Sequence, residues 1–164
     1  GASAAITAYG GAEGDTIVTN GGLIGRVVIT YRDEAQLAKL KSLLAAHLPS
    51  ATAIDFVPGG ESRQDSVLAA LNTCEGHTGL VHVHDGARPL VSAEAIRKVR
   101  AKAHETGAAI LAGRAADTVK IAKADSASVE TSPDRGLVWT AETPQVFRTA
   151  IVLKAYRKVA ELQR

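Results

Sequence analysis

The sequence predicts an α/β fold in which a mainly parallel sheet is flanked by helices. Along the 164 residues, short runs rich in β-branched residues alternate with longer segments of helical period, the pattern of repeated βαβ units. Capping residues at the ends of two expected helices support this interpretation. The pattern fails between Lys120 and Leu137, where the chain is polar, alternating and turn-rich. We therefore expect an arm or hairpin to leave the sheet there.

Five strands and four helices account for the alternation. Strands are predicted at Ala4–Ala8, Arg26–Tyr31, Ala53–Val57, Leu80–His84 and Ala108–Gly113. Helices are predicted at Asp33–Leu48, Gln64–Leu71, Ala93–His104 and Thr149–Leu162. Asp33 and Gln36 are spaced as a capping box, and behind them runs a stripe of Leu37, Leu40, Leu44 and Leu48. Ser92 is expected to cap the third helix and Gly107 to end it.

The composition indicates one domain covering residues 1–164. Hydrophobic residues make up 46% and charged residues 22%, close to the average of soluble proteins, and the length suits one continuous core. A net charge of +2 without a basic cluster disfavours a nucleic-acid partner. Cys74 is the only cysteine, and no apolar run approaches the roughly 20 residues that cross a bilayer. We therefore expect a cytoplasmic protein with no membrane partner.

Two loops at predicted strand ends are candidate binding sites, because ligands of open α/β sheets bind beyond the carboxyl ends of the strands. In VPGGESRQDSV, Gly59 and Gly60 would let backbone N–H groups approach a ligand, with Ser66 on the first turns of the next helix. In LVHVHDGARP, Asp85 lies just past a strand, and Arg88 can bind an anion or pair with Asp85. Both loops also have plain structural interpretations, as a strand-to-helix turn and as a turn capped by aspartate.

The two histidines of HVHDGARP resemble the start of a metallo-hydrolase ligand set. In a strand, however, His82 and His84 share one face while Asp85 points to the other, and the second aspartate-histidine step of that motif is absent. We therefore favour histidines packed in the sheet, and we predict no metal-ligating side chain.

Two further polar groupings follow the last predicted strand. AADTVK carries Thr118 and Lys120, and TSPDRGLVWTAETPQVF carries Arg135, Trp139, Thr143 and Gln145. The second also has a structural interpretation, as a proline turn that caps the last helix with Trp139 in the core. The sequence has no G-x-S-x-G motif, which disfavours hydrolysis by a serine nucleophile.

Four motifs, GGESRQDSV, VHVHDGARP, TGAAILAGRAADTVK and DRGLVWTAETPQVF, together resemble the 2-C-methyl-D-erythritol 4-phosphate cytidylyltransferases of the non-mevalonate isoprenoid pathway. The resemblance covers about Arg26 to Tyr156. It implies a Rossmann-like nucleotidyltransferase fold and a reaction of CTP with methylerythritol phosphate that gives the CDP-alcohol and pyrophosphate. It also implies Mg²⁺, bound mainly through the CTP phosphates, and no covalent enzyme intermediate.

The resemblance assigns a role to each candidate residue. The cytidine pocket would be formed by Gly59, Gly60, Glu61 and Ser66, and the ribose and metal-phosphate region by Asp85 and Gly86. Arg88 would lie by the methylerythritol phosphate, with Thr143 in the same region. Family enzymes are homodimers whose polar arms cross into the partner, so Thr118 and Arg135 would clamp the alcohol phosphate in the partner's site. The residues expected to act in catalysis are Asp85, Arg88, Thr118 and Arg135.

The sequence departs from this family at both ends. The family's A-A-G-x-G-x-R-M and P-K phosphate loop is replaced by YGGAEGDTIVTNGG, with no Lys or Arg before Arg26, and the family's C-terminal T-D-D segment and late lysine are absent. Losing one transition-state donor costs about 2.7 to 4 kcal/mol, so the chain as written is predicted to be a poor catalyst. Two hypotheses follow: this is the ordered part of a longer enzyme, or a truncated nucleotide-binding module without turnover. Ribitol 5-phosphate cytidylyltransferase is the alternative enzyme.

Overall fold

A computed structural model describes residues 3–7, 24–47, 53–124 and 128–162, with backbone alone at 3–7, 24 and 46–47. Six strands form one sheet in the order β3-β2-β1-β4-β8-β5: β1 (Ser3–Thr7), β2 (Ile24–Tyr31), β3 (Ala53–Pro58), β4 (Leu80–His84), β5 (Ala108–Arg114) and β8 (Trp139–Arg148). The first four pair in parallel, whereas β8 runs antiparallel to both β4 and β5. The predicted α/β class and mainly parallel sheet are confirmed.

Four helices cover the two faces of the sheet: α1 (Glu34–His47), α2 (Arg63–Asn72), α3 (Ala93–Thr106) and α4 (Thr149–Leu162). Successive side chains of a strand point to opposite faces. Val28, Val81 and Val83 therefore join the cluster that contains residues of α2 and α4. The opposite face of β2, at Val27 and Ile29, packs with Leu40 of α1. On that same opposite face, Leu80 of β4 packs with Val99 and Ala103 of α3.

Both predicted caps of α3 are confirmed, and of the capping box predicted at α1 one of its two hydrogen bonds is present. Ser92 Oγ accepts the Ala95 N–H at 3.1 Å, and Gly107 ends the helix with a φ of 88°, in the left-handed region where glycine is favoured. At α1, Asp33 Oδ1 accepts the Gln36 N–H, but the Gln36 side chain accepts from the Arg32 N–H instead of the Asp33 N–H. Ala8 and Leu48, which were predicted to end β1 and α1, lie outside the described residues.

Strand β8 is the main element that the sequence analysis missed. A proline turn with a core tryptophan was the structural interpretation of this segment, and it is wrong. Pro144 lies inside a ten-residue strand, and Trp139 is 53% exposed, with the Arg114 guanidinium 4.7 Å from its ring centroid. Proline rarely occupies a strand that is paired on both sides, which is why the sequence pattern misled.

The predicted arm is confirmed as a two-stranded antiparallel ribbon. Strands β6 (Ile121–Ala122) and β7 (Val129–Thr131) pair with each other, and a 3₁₀ turn (Arg135–Leu137) leads back into β8. On its β8 side, β4 pairs with residues 145–148, the C-terminal part of β8. On the other side of β8, β5 pairs along the strand as far back as Trp139. The arm (residues 120–137) is therefore carried beyond the carboxyl edge of β4. No helix in the described ranges is both long and apolar enough to span a bilayer.

Candidate functional site

Both candidate loops lie at the carboxyl edge of the parallel strands. The glycine loop (residues 59–62) follows β3 and precedes α2, and the Asp85 turn (residues 85–88) follows β4. The strand order reverses direction between β1 and β4, and such a switch point is the usual ligand crevice of an open α/β sheet. The two loops are here called the corner.

Ser66, on α2, holds the glycine loop in place through its hydroxyl group. Its hydroxyl oxygen accepts the Gly60 N–H at 3.0 Å, and its proton is donated to the Ser62 carbonyl at 3.0 Å. The Gly59 N–H donates to the Tyr31 carbonyl at the end of β2, at 2.7 Å. Ser66 is only 2% exposed, so in this conformation it shapes the loop from inside the protein.

Both glycines are required by close packing against α2. A Cβ at Gly59 would approach Ser66 Oγ to 2.9 Å, and a Cβ at Gly60 would overlap the Cβ of Asp65. Ser62 and Asp65 form a capping box that fixes the start of α2. The loop therefore lies against a helix N-terminus, whose partial positive charge favours anions.

Asp85 is held by two arginines. Arg63, on the first turn of α2, donates from Nε and Nη2 to Asp85 Oδ1 at 3.0 and 2.7 Å. Arg88 Nε lies 3.6 Å from the other oxygen, Oδ2. Two guanidinium groups and one carboxylate leave one positive charge in excess, and all three side chains are partly exposed. The cluster can therefore receive a phosphate group while the carboxylate keeps both cations in position.

A second set of hydrogen bonds fixes the backbone of the Asp85 turn. Thr143 Oγ1 of β8 accepts the Asp85 N–H at 3.1 Å and lies 3.1 Å from His84 Nδ1. His84 Nε2 lies 3.1 Å from the Arg88 carbonyl oxygen, and the Arg88 N–H donates to the Asp85 carbonyl at 3.0 Å. The turn is thus tied at both ends to neighbouring strands.

Burial keeps both histidines of β4 neutral. Desolvation lowers the pKa of His84, although the hydrogen bond to the Arg88 carbonyl and the Asp85 charge oppose this effect. Desolvation, together with the positive charge of Arg100, lowers the pKa of His82 to about 4. His82 is 2% exposed and its Nε2 has no hydrogen-bond partner among the described residues. The ranges described contain no group of three His, Cys, Asp or Glu side chains that could hold a metal ion.

The predicted site residues fall into two groups. The corner brings together Gly59, Gly60, Glu61, Ser66, Asp85, Gly86, Arg88 and Thr143. Thr118 and Arg135 lie apart, exposed at the base and the end of the arm. Arg135 Nη1 donates to the Ala116 carbonyl at 3.2 Å, and neither residue hydrogen-bonds to the Asp85 turn within the described part of one chain.

Arg63 and His84 are the site residues that the sequence analysis missed. Arg63 stands inside the GGESRQDSV motif, and an arginine on the first turn of a helix beside a glycine loop was the available signal. Its partner Asp85 is 22 residues away, and only the fold brings the two together. His84 was assigned to packing alone, but its ring hydrogen-bonds to the Asp85 turn.

Comparison with known proteins identifies the family. The family model of 2-C-methyl-D-erythritol 4-phosphate cytidylyltransferase matches residues 16–163. The chain is 39% identical over 137 residues to the enzyme of that name from Symbiobacterium thermophilum, covering 83% of this chain and 55% of the relative. It is 37% identical over 129 residues to the Bacillus licheniformis enzyme of that name, covering 79% of this chain and 54% of the relative. The chain thus spans about half the length of the curated relatives it matches.

Solved structures agree with this assignment. The 4-diphosphocytidyl-2C-methyl-D-erythritol synthase of Anaerococcus prevotii superposes with a TM-score of 0.80 at 27% identity, covering 98% of this chain and 75% of that one. The Thermus thermophilus 2-C-methyl-D-erythritol 4-phosphate cytidylyltransferase gives a TM-score of 0.65 at 26% identity, covering 86% of this chain and 62% of that one. The predicted Rossmann-like nucleotidyltransferase fold is confirmed. This chain belongs to the 2-C-methyl-D-erythritol 4-phosphate cytidylyltransferase family.

Proposed function

We propose that the chain transfers a cytidylyl group from CTP to 2-C-methyl-D-erythritol 4-phosphate. A phosphate oxygen of the acceptor attacks the α-phosphorus of CTP, the bond from that phosphorus to the bridging oxygen breaks, and pyrophosphate leaves. The observation that carries the proposal is the Asp85 carboxylate held between Arg63 and Arg88 beside the glycine loop. Family membership supplies the identity of the substrates.

The glycine loop is the proposed cytidine pocket. Backbone groups of Gly60 and Glu61 read the cytosine edge, Gly59 keeps the loop against α2, and Ser66 fixes its shape. The tight packing of both glycines against α2 supports this role, because it fixes the direction of the backbone polar groups. Gly86 is buried beside Asp85, where the ribose would lie.

The cluster of Arg63, Asp85 and Arg88 is the proposed phosphate region. Phosphoryl-type transfers need little covalent help from protein, so positioning and charge stabilisation provide the catalysis. Arg88 binds the acceptor phosphate through its planar fork, and Thr143 lies in the same substrate region. Asp85 orients both arginines and contacts the ribose side of the nucleotide.

Mg²⁺ is the proposed cofactor. Mg²⁺ takes oxygen ligands, and in nucleotide sites it is bound largely through phosphates and waters. Asp85 Oδ1 already accepts two bonds from Arg63, and Oδ2 faces Arg88, which fits a cation held mainly by the triphosphate. There the ion would neutralise charge on the phosphates and on the departing pyrophosphate.

The arm is the proposed route to a homodimer. Ile121, Val129 and Leu137 of the arm are apolar and about half or more exposed, and so is Trp139 at the adjoining start of β8. Burying such side chains against a second copy is favourable. The same docking would bring Thr118 and Arg135 of one chain to the acceptor phosphate in the partner's corner, as the family resemblance implies.

Two further features belong to the proposal. Residues 1–164 form one nucleotidyltransferase domain, since strands from both ends of the described ranges enter one sheet. The reaction takes place in the cytoplasm, in keeping with the single cysteine, an unpaired buried thiol at Cys74.

The proposal is tested by pyrophosphate release from Mg²⁺ and CTP with methylerythritol phosphate or ribitol 5-phosphate as the acceptor. Release with methylerythritol phosphate alone supports it, and release with ribitol 5-phosphate alone replaces it with the sister activity. Tight CTP binding by calorimetry without release identifies a binding module without turnover.

Two variants tie the activity to the corner. Asp85→Asn is expected to lower kcat/KM about 10²- to 10³-fold, since one preorganised charged group is lost. Glu75→Gln is the matched control, because Glu75 is also a carboxylate paired with an arginine, Arg157, but lies outside the corner. Equal losses in both variants would contradict a catalytic role for Asp85.

A further inference from the structure

The hydrogen bonds of His84 have a defined direction. A carbonyl oxygen can only accept, so His84 Nε2, at 3.1 Å from the Arg88 carbonyl, carries the ring proton. Nδ1 of the neutral ring is then an acceptor, and the Thr143 hydroxyl donates to it across 3.1 Å. Because its proton is directed at His84, Thr143 Oγ1 presents a lone pair to the Asp85 N–H.

This chain of bonds encloses the Asp85 turn. One branch runs from His84 through Thr143 to the first residue of the turn, and the other runs directly to its last residue, Arg88. The side chains of those two residues form the phosphate cluster with Arg63. A displacement of either end of the turn therefore moves a charged group of the cluster.

We propose that His84 is a positioning residue, which sets the Asp85 turn through Thr143 and the Arg88 carbonyl so that Asp85 and Arg88 meet the acceptor phosphate. This role rests on the proposed cytidylyl transfer. His84 itself touches neither substrate. The glycine loop is held separately, by its own bonds to Ser66 and Tyr31. Acceptor use is therefore expected to depend most on His84, while CTP keeps its contacts with the glycine loop and loses only part of those with Asp85 and Gly86.

Three variants separate the two branches. His84→Phe keeps a ring of similar size and removes both hydrogen bonds. His84→Asn places an amide oxygen near the position of Nδ1 and keeps the Thr143 branch, whereas His84→Gln places an amide N–H near Nε2 and keeps the Arg88 branch. His82→Phe is the matched control, since His82 lies on the same strand and its Nε2 makes no hydrogen bond within the described residues.

The expected result is a larger loss for the acceptor than for CTP. His84→Phe should lower kcat/KM for methylerythritol phosphate about 10- to 100-fold, since a misplacement of about 1 Å costs this much, while the Kd for Mg²⁺ and CTP rises by less than about fivefold. Asn or Gln should recover at least part of the loss, and His82→Phe should lose less than about twofold. The proposal is overturned if His84→Phe keeps full activity, if neither amide recovers any, or if CTP affinity falls in parallel.

A readout without turnover separates this proposal from the proposed function. If the unaltered chain releases no pyrophosphate, ¹⁵N NMR of the free protein still reports which ring nitrogen of His84 carries the proton, and hydrogen exchange reports the protection of the Asp85 amide. Protonated Nε2, with faster Asp85 exchange in His84→Phe but not in His82→Phe, supports the positioning role. A proton on Nδ1, or unchanged exchange, overturns it.

Discussion

The corner and the arm of this chain are built in opposite ways. In the corner, polar groups are held by partners from four elements: Ser66 and Arg63 from α2, Tyr31 at the end of β2, His84 of β4 and Thr143 of β8. In the arm, two short strands pair with each other and with no other strand in the described ranges, and most of the described side chains are exposed. The corner is therefore preorganised within one chain, whereas the arm leaves most of its side chains exposed, although its Arg135 donates to the Ala116 carbonyl.

The proposed homodimer would divide the site between folding and assembly. Preorganised polar groups contribute most to catalysis when folding has already oriented them. In the proposed homodimer, the exposed side chains of the arm would lose conformational freedom only on docking. Four experiments test or refine this division, and they are ordered from the largest expected effect to the smallest.

The free energy of unfolding of the chain is expected to fall by about 3 kcal/mol between pH 6.5 and pH 4 through His82 alone. An unfolded histidine takes up a proton near pH 6.5, but the folded pKa is about 4, so in this window protons bind to the unfolded state only. The loss begins below pH 6.5 and is complete below pH 4. Urea unfolding at several pH values measures it, and His82→Phe should flatten the curve in this window. An equally steep curve for the variant would contradict the buried neutral state.

Two weakly active variants should complement each other when mixed, if the arm of one chain completes the site of its partner. Arg135→Ala is expected to lower kcat/KM about 100-fold, close to 2.7 kcal/mol, because a phosphate clamp is lost. When the Arg135→Ala chain is mixed with an Asp85→Asn chain, random pairing gives heterodimers with one intact composite site, and about a quarter of the activity should return. Pyrophosphate release measures the recovery. No recovery in a mixture that does form heterodimers would place Arg135 in its own chain's site.

For activity, the two N–H donors of the planar Arg63 guanidinium are expected to matter more than its positive charge alone. Arg63→Lys keeps the positive charge but cannot donate two bonds from one rigid plane, so a fall of about tenfold in kcat/KM is expected, close to 1.4 kcal/mol. Steady-state assays check this value. Arg26→Lys serves as the control, since Arg26 pairs with Asp55, which lies outside the corner. Full activity in the Arg63→Lys variant would show that charge alone suffices.

Trp139→Ala should change the stability of a single chain by less than about 1 kcal/mol, because the ring is half exposed and its main contact is with Arg114. The variant should nevertheless weaken self-association, since an exposed aromatic ring is a frequent anchor of interfaces. Urea unfolding at low protein concentration and sedimentation at several concentrations measure the two effects. A large loss of stability without a change in association would assign Trp139 to the fold alone.

Local chemistry could be predicted from the sequence, and long-range pairing could not. The cap at Ser92, the left-handed Gly107 and the glycine pair before α2 are each set by neighbouring residues, so the sequence predicts them. The bond from Asp85 N–H to Thr143 joins residues 58 positions apart. It depends on β8 entering the sheet between β4 and β5, and Pro144 concealed that strand. The sequence thus names the candidate site residues but does not give their mutual geometry.

Strand β8 limits how the length of this chain can vary. It carries Thr143 in the corner and, four residues earlier, Trp139 next to the arm. Between Ala141 and Gln145 the strand advances four residues while its partner β5 advances only two, from Ala112 to Ile110, so β8 carries a bulge of two extra residues there. The bulge lets one strand present Trp139 beside the arm and Thr143 at the Asp85 turn. Deleting two residues from it should restore regular pairing with β5 at the expense of the bond between Thr143 and the Asp85 amide.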